Sequence, residues 1–221
     1  MIPDHTLFAK HRKVKQMFLS VIFIFIIIGG WFFPVLGYFI PACMIVGIGI
    51  ASFSGRTWCD WYCPRGSFLD YMIRPISPGK EIPAVLKSMP TRFLVIAMLM
   101  TTMIIQIIKR WPDPFKIGEF FVTMLSVTTG LAIIAALFFH QRSWCYLCPI
   151  GTLSNLAGRN KRMLKIDSGQ CVECKVCAKV CPMQIKPFKF KAEGVQIVKD
   201  PDCLKCSSCV EACPKKALSF K

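Results

Sequence analysis

Four stretches of this chain are apolar and contain no Asp, Glu, Lys or Arg: residues 17–33, 35–53, 93–108 and 120–139. A helix needs about 20 apolar residues to cross the hydrocarbon core of a bilayer. Buried helices of water-soluble proteins are usually shorter and less uniformly apolar. The stretches therefore predict four transmembrane helices, and the 54% hydrophobic and 18% charged composition agrees. The second stretch holds Pro41, Gly47 and Gly49, residues that helices tolerate better in lipid than in water. A basic front, Lys10–Lys15, precedes the first stretch, but Phe32-Phe33-Pro34 follows it where a signal peptide would carry small residues. We read it as uncleaved.

Lys and Arg set the orientation. Residues 1–16, 54–92 and 140–165 together hold fifteen of them, whereas the two opposite turns hold only Lys109, Arg110 and Lys116. Both termini are expected on the cytoplasmic side of the cell's inner membrane. The expected organisation is a basic flank over residues 1–16, a four-span membrane domain over 17–165, and a second domain over 166–221. The cytoplasmic loop 54–92 includes a linker with Pro75, Pro78, Pro83 and Pro90. The net charge of +16 is assigned to a face toward anionic lipid headgroups, and nucleic acid is not expected as a partner.

The last segment carries the strongest motif. Cys171-x2-Cys174-x2-Cys177-x3-Cys181-Pro182 is followed by Cys203-x2-Cys206-x2-Cys209-x3-Cys213-Pro214. This is the bacterial two-cluster ferredoxin rhythm, in which the fourth cysteine of each run reaches the other cluster. Cys171, Cys174, Cys177 and Cys213 are the expected ligands of one [4Fe–4S] cluster. Cys203, Cys206, Cys209 and Cys181 are expected to hold the other. Zinc sites use paired ligands rather than this spacing. Alternation at 195–198 and 217–220 predicts small strands, giving an α+β ferredoxin-like domain. Such a pair of clusters carries single electrons and makes no bonds.

A second pattern lies at the membrane edge. Arg56-Thr57-Trp58-Cys59, with Cys63-Pro64-Arg65-Gly66-Ser67, follows the second span. Arg142-Ser143-Trp144-Cys145, with Cys148-Pro149-Ile150-Gly151-Thr152, follows the fourth, and Cys59 and Cys145 are 86 residues apart. The membrane domain reads as a tandem two-span repeat. Both copies point the same way, so an axis along the membrane normal would relate them. That axis can gather Cys59, Cys63, Cys145 and Cys148 into a third iron–sulfur cluster or another soft-ligand metal site. Two separate sites completed by other proteins, or structural thiols beside interfacial tryptophans, are the competing readings. A disulfide does not suit the cytoplasm.

Four spans, two Trp-Cys…Cys-Pro motifs and the tandem ferredoxin tail resemble the NapH type of membrane quinol dehydrogenase. The membrane half of NosR and the cytochrome-oxidase assembly ferredoxins share these motifs. The resemblance covers nearly all the chain after residue 15. It implies electron exchange between the quinone pool and a redox partner, with the ferredoxin clusters on the cytoplasmic side. The family motif is Cys-x3-Cys-Pro; Cys59 and Cys63 match it, and the Cys145–Cys148 pair has one residue fewer.

Only three histidines occur, His5, His11 and His140, so the ligands for a buried b-haem are missing and none is expected. Trp61, Asp70 and Arg74 are candidate quinone headgroup residues by polarity and depth. The reading is an electron-transfer subunit of a larger membrane redox complex. Its alternatives are an assembly factor that reduces a metal or thiol in another enzyme, and a core subunit of an ion-pumping redox complex. The pump would need partner chains, because the spans carry no ionisable side chain.

Overall fold

The computed structural model describes residues 5–220, with side chains from residue 10 onward; His5 lies outside the described side chains. Helix α1 (His5–Phe32) and α2 (Phe39–Ser54) are joined by a 3-10 turn at Pro34–Tyr38. Short helices α3 (Trp58–Trp61) and α4 (Pro64–Phe68) follow, then a widened π-type turn at Leu69–Ile73 and α5 (Ala84–Lys87). Helices α6 (Met89–Arg110) and α7 (Pro114–Phe138) form the second hairpin, followed by α8 (Trp144–Leu147) and α9 (Pro149–Ala157). Strands β1 (Leu164–Asp167), β2 (Val195–Ile197) and β3 (Leu218–Phe220), with α10 (Val176–Lys179) and α11 (Ser208–Glu211), complete the chain.

Four helical segments, Lys10–Phe32, Pro34–Ser54, Met89–Arg110 and Pro114–Phe138, are long and apolar enough to cross a membrane. Their outer faces carry exposed Phe25, Phe53, Leu94 and Phe138, a surface suited to lipid and not to water. Helix α7 is the central one. Gly118 on α7 lets the backbone of the 3-10 turn come close: a Cβ there would stand 2.3 Å from the Pro34 carbonyl oxygen. Gly37 plays the converse part, since its Cβ would meet the Gly118 oxygen at 2.3 Å.

The small sheet is antiparallel in the order β2-β1-β3, with Ile166 opposite Gln196 and Leu218. Strands β2 and β3 fall where alternation predicts them. The central strand, β1, begins before residue 166, in a segment whose short Leu-Lys-Ile-Asp alternation is too brief to stand out from its basic surroundings. The Pro-rich linker is also more ordered than its composition suggests. Ile82 is buried, and its N–H donates to the Gln184 side chain at 2.9 Å.

Two placements differ from the expectation of a lipid-facing basic flank. Helix α1 runs unbroken through the basic front, and Arg12 turns inward to Asp60 at 2.5 Å. Arg92 opens α6 instead of closing the loop before it, and only 2% of it is exposed. Pro90 in the first turn of α6 lacks only an N–H that helix starts leave unbonded anyway, so the helix begins upstream of the hydrophobic run. Part of the positive excess thus answers buried carboxylates and does not face headgroups.

Candidate metal centres and the membrane edge

In the small domain each Cys-x2-Cys-x2-Cys loop winds through alternating left-handed residues. Glu173 and Lys175 have φ of 53° and 62°, and Lys205 and Ser207 have φ of 56° and 64°. Such alternation turns successive backbone N–H groups inward and makes the anion-binding nest common at iron–sulfur sites. Gln184 and Lys216, at φ 55° and 49°, repeat the correspondence beyond each Cys-Pro. One cavity is lined by Cys171, Cys174, Cys177 and Cys213, and the other by Cys181, Cys203, Cys206 and Cys209. The chain therefore brings the eight cysteines into two sets of four, and each set takes its fourth member from the other run. Among the described residues, no three His, Cys, Asp or Glu side chains close on one point as the donors of a single ion do. The thiols instead ring cavities, as a many-atom cluster requires.

Burial pushes the Cys181 thiol up to about 12, against the pull of the Ile185 and Met183 N–H groups. It pushes Cys206 up to about 11. Deprotonated sulfur at these positions needs a cationic partner, and a coordinated metal supplies one outright. The two sets differ in exposure. Cys174 and Val172 of the first are exposed, whereas Cys206 and Cys209 of the second are buried. The second set faces the membrane domain: Arg12 bridges from Asp60 to the Ser208 hydroxyl at 3.3 Å.

At the membrane edge Cys59, Cys63, Cys145 and Cys148 are close enough to repel one another as thiolates, and burial raises Cys59 and Cys63 further. Two fully buried arginines lie between the pairs, and each serves the opposite motif. Arg56 donates to the Cys145 carbonyl at 2.7 Å, and Arg142 donates to the Cys59 carbonyl at 2.8 Å. Gly66 and Gly151 give them room: a Cβ would stand 3.0 Å from Arg142 Nη1 at Gly66 and 2.9 Å from Arg56 Nη2 at Gly151. That explains the Gly of each Cys-Pro-x-Gly. Neighbouring carboxylates and sulfurs hold both arginines above their ordinary pKa despite burial.

The counter-charges come from different places. Arg142 grips Asp70 with two bonds, Nε at 2.9 Å and Nη2 at 2.6 Å. Arg56 is met by Asp202 of the small domain at 2.7 Å. Asp202 also takes two bonds from Arg92, at 2.8 and 2.6 Å, and one from Asn155 at 3.0 Å. Asp202, Arg92 and Asn155 carry no sequence motif that singles them out; only the fold brings them together.

The three quinone candidates do not converge. Asp70 and Arg74 line a polar cavity with Arg12, His140, Lys179 and Cys181, and Trp61 does not line it. Asp70 is already engaged by Arg142 and by Gln16 at 3.1 Å. Trp61 sits under the Lys15 ammonium, 5.4 Å from its ring centre.

Comparison with known proteins places these features. The family described as "4Fe-4S binding domain" matches residues 36–83 and 121–166, and the "4Fe-4S dicluster domain" matches residues 163–214. The chain is 28% identical over 148 residues to an uncharacterized protein of Methanocaldococcus jannaschii, covering 64% of this chain and 57% of that protein. It is 25% identical over 139 residues to the methylamine utilization ferredoxin-type protein MauN of Methylobacillus flagellatus, covering 59% and 49%. It is 25% identical over 147 residues to the ferredoxin-type protein NapH of Haemophilus influenzae, covering 62% and 51%. In these three matches the chain spans about half the length of the relative. No solved structure matches. Fold and matches define a 4Fe–4S ferredoxin-type protein with membrane-length helices. Within that class the chain is similar to the ferredoxin-type proteins NapH and MauN.

Proposed function

We propose that this chain is a membrane-bound iron–sulfur electron-transfer subunit, exchanging electrons between a quinone pool and a redox partner inside a larger complex. The observation that carries the reading is the grouping of the twelve motif cysteines: eight line two cavities in sets of four, and Cys59, Cys63, Cys145 and Cys148 lie within electrostatic reach of one another. Cys171, Cys174, Cys177 and Cys213 hold one [4Fe–4S] cluster, and Cys203, Cys206, Cys209 and Cys181 the other. Clusters bound there supply one-electron chemistry. The protein's own part is to hold the thiols, cradle their charge with inward N–H groups, and exclude water from the inner set.

Cys59, Cys63, Cys145 and Cys148 form a third, shared site at the membrane edge. Support comes from the crossed arginines, each bound to the other motif's cysteine carbonyl. The same family description matching twice supports a tandem repeat of the two hairpins. In this reading the termini and the small domain face the cytoplasm, at the inner membrane. Replacing Cys59 and Cys145 together with serine and counting iron per chain tests the site. We expect a loss equal to one cluster with the ferredoxin clusters retained; unchanged iron would remove the shared site.

A further inference from the structure

The apolar cavity inside the membrane domain contains polar groups that the protein itself leaves unanswered. Side chains of α1, α2, α6 and α7 line it, and its floor is made by Cys63 and Cys148 of the membrane-edge set. Arg65 lies in its wall. Its guanidinium donates to the Thr128 hydroxyl at 3.0 Å and lies 5.9 Å from the centre of the Trp144 ring. Among the described residues no carboxylate pairs with it, whereas Arg12, Arg56, Arg92 and Arg142 each meet an aspartate. The Thr128 hydroxyl already donates to the Met124 carbonyl at 2.8 Å, so it accepts from Arg65. The indole N–H groups of Trp58 and Trp144 are buried without a hydrogen-bond acceptor, and both residues line the same cavity. An unanswered buried donor costs about 1–3 kcal/mol, and a cation in apolar surroundings costs more.

We infer that this cavity seats a planar, lipid-soluble ring bearing acceptor oxygens, with Arg65, Trp58 and Trp144 as its donors. Within the function proposed above, on which this assignment rests, that molecule is the quinone headgroup. The polar cavity beside Asp70 and Arg74 suits it less, because three cations and the Asp70 carboxylate surround that space and little apolar surface is offered to a ring. In the apolar cavity the ring packs on hydrocarbon and its oxygens meet donors only. The guanidinium favours an anionic oxygen over a neutral one, so Arg65 is the residue expected to hold the deprotonated headgroup. Half-buried side chains of α2 and α6 form the wall on the bilayer side, which gives an isoprenoid tail a path into lipid.

The test uses the full chain in lipid nanodiscs with its iron counted, and measures binding of radiolabelled decylubiquinone and menadione. Arg65→Met and Trp144→Phe should each weaken binding of the quinone that wild type takes, Arg65→Met by about tenfold or more, as expected for one charge-assisted hydrogen bond. If wild type binds and both variants bind equally well, the cavity assignment is overturned while the quinone reading survives. If wild type binds neither probe, the quinone reading itself fails and the assignment falls with it. Should Arg65→Met lose iron, Thr128→Val, which removes the hydroxyl that positions the guanidinium without touching a cysteine, takes its place: weaker binding supports the cavity and unchanged binding refutes it.

Discussion

Asp202→Ala removes one carboxylate and leaves two guanidiniums buried without a counter-charge. Arg56 and Arg92 are each 2% exposed in their side chains, and Asp202 is 12% exposed. Three arginine hydrogen bonds and one from Asn155 end on this carboxylate. Breaking a buried pair by removing one partner costs about 3–5 kcal/mol, and here two cations are stranded, so the upper part of that range applies. The residue sits in the small domain, while Arg56, Arg92 and Asn155 belong to the membrane domain. The cost therefore falls on the contact between them. The upper part, about 4–5 kcal/mol, corresponds to an opening equilibrium raised roughly 10³-fold to several thousandfold. Hydrogen–deuterium exchange of the full chain in detergent reads this directly. Amides of the Cys203–Cys209 loop and of residues 56–60 should lose protection together. The control is Glu81→Gln, which breaks the exposed Glu81–Lys186 bridge across the same two domains. Exposed pairs contribute little, so exchange should hardly change. Unaltered protection in Asp202→Ala, or equal effects of the two substitutions, would refute the reasoning.

Arg142→Lys keeps the charge but loses the two-pronged grip on Asp70 and the bond to the Cys59 carbonyl, so stability against unfolding should fall by about 2 kcal/mol or more; an unchanged thermal transition would show that the grip is incidental. Gly118→Ala should loosen α7 from the 3-10 turn, because the nearest obstacle to a Cβ is backbone; lower yield and earlier unfolding are expected, and wild-type behaviour would refute the close approach. His140 is buried, and desolvation lowers its pKa to about 4, with Asp70 opposing and Arg142, Arg74 and Lys87 reinforcing the shift. The unfolded chain, with a histidine pKa of about 6.5, binds the proton first, so stability should decline as pH falls from about 6.5 toward about 4. His140→Gln should flatten the part of that slope above about pH 5, where carboxylates contribute little, as followed by unfolding at a series of pH values.

The tandem cysteine rhythm and the four uncharged stretches were legible because each is local. Ligand spacing within a loop and unbroken apolarity along a helix are properties of neighbouring residues, and the two Cys-Pro motifs announce themselves by repetition. The quinone candidates were not legible in the same way. Trp61, Asp70 and Arg74 share polarity and depth, but Asp70 answers Arg142, and only the packed helices show a cavity with unanswered donors.

By itself, then, the sequence determined the class: membrane-length helices joined to a two-cluster ferredoxin-like tail, with a repeated thiol pair between. Tertiary structure decided how the parts meet. Arg56 and Arg142 exchange motifs, and Asp202 reaches from the small domain to balance two arginines of the membrane domain. A buried charge must find an opposite charge wherever the fold places one, and that partner here lies as far as 146 residues along the chain, beyond anything local spacing can encode.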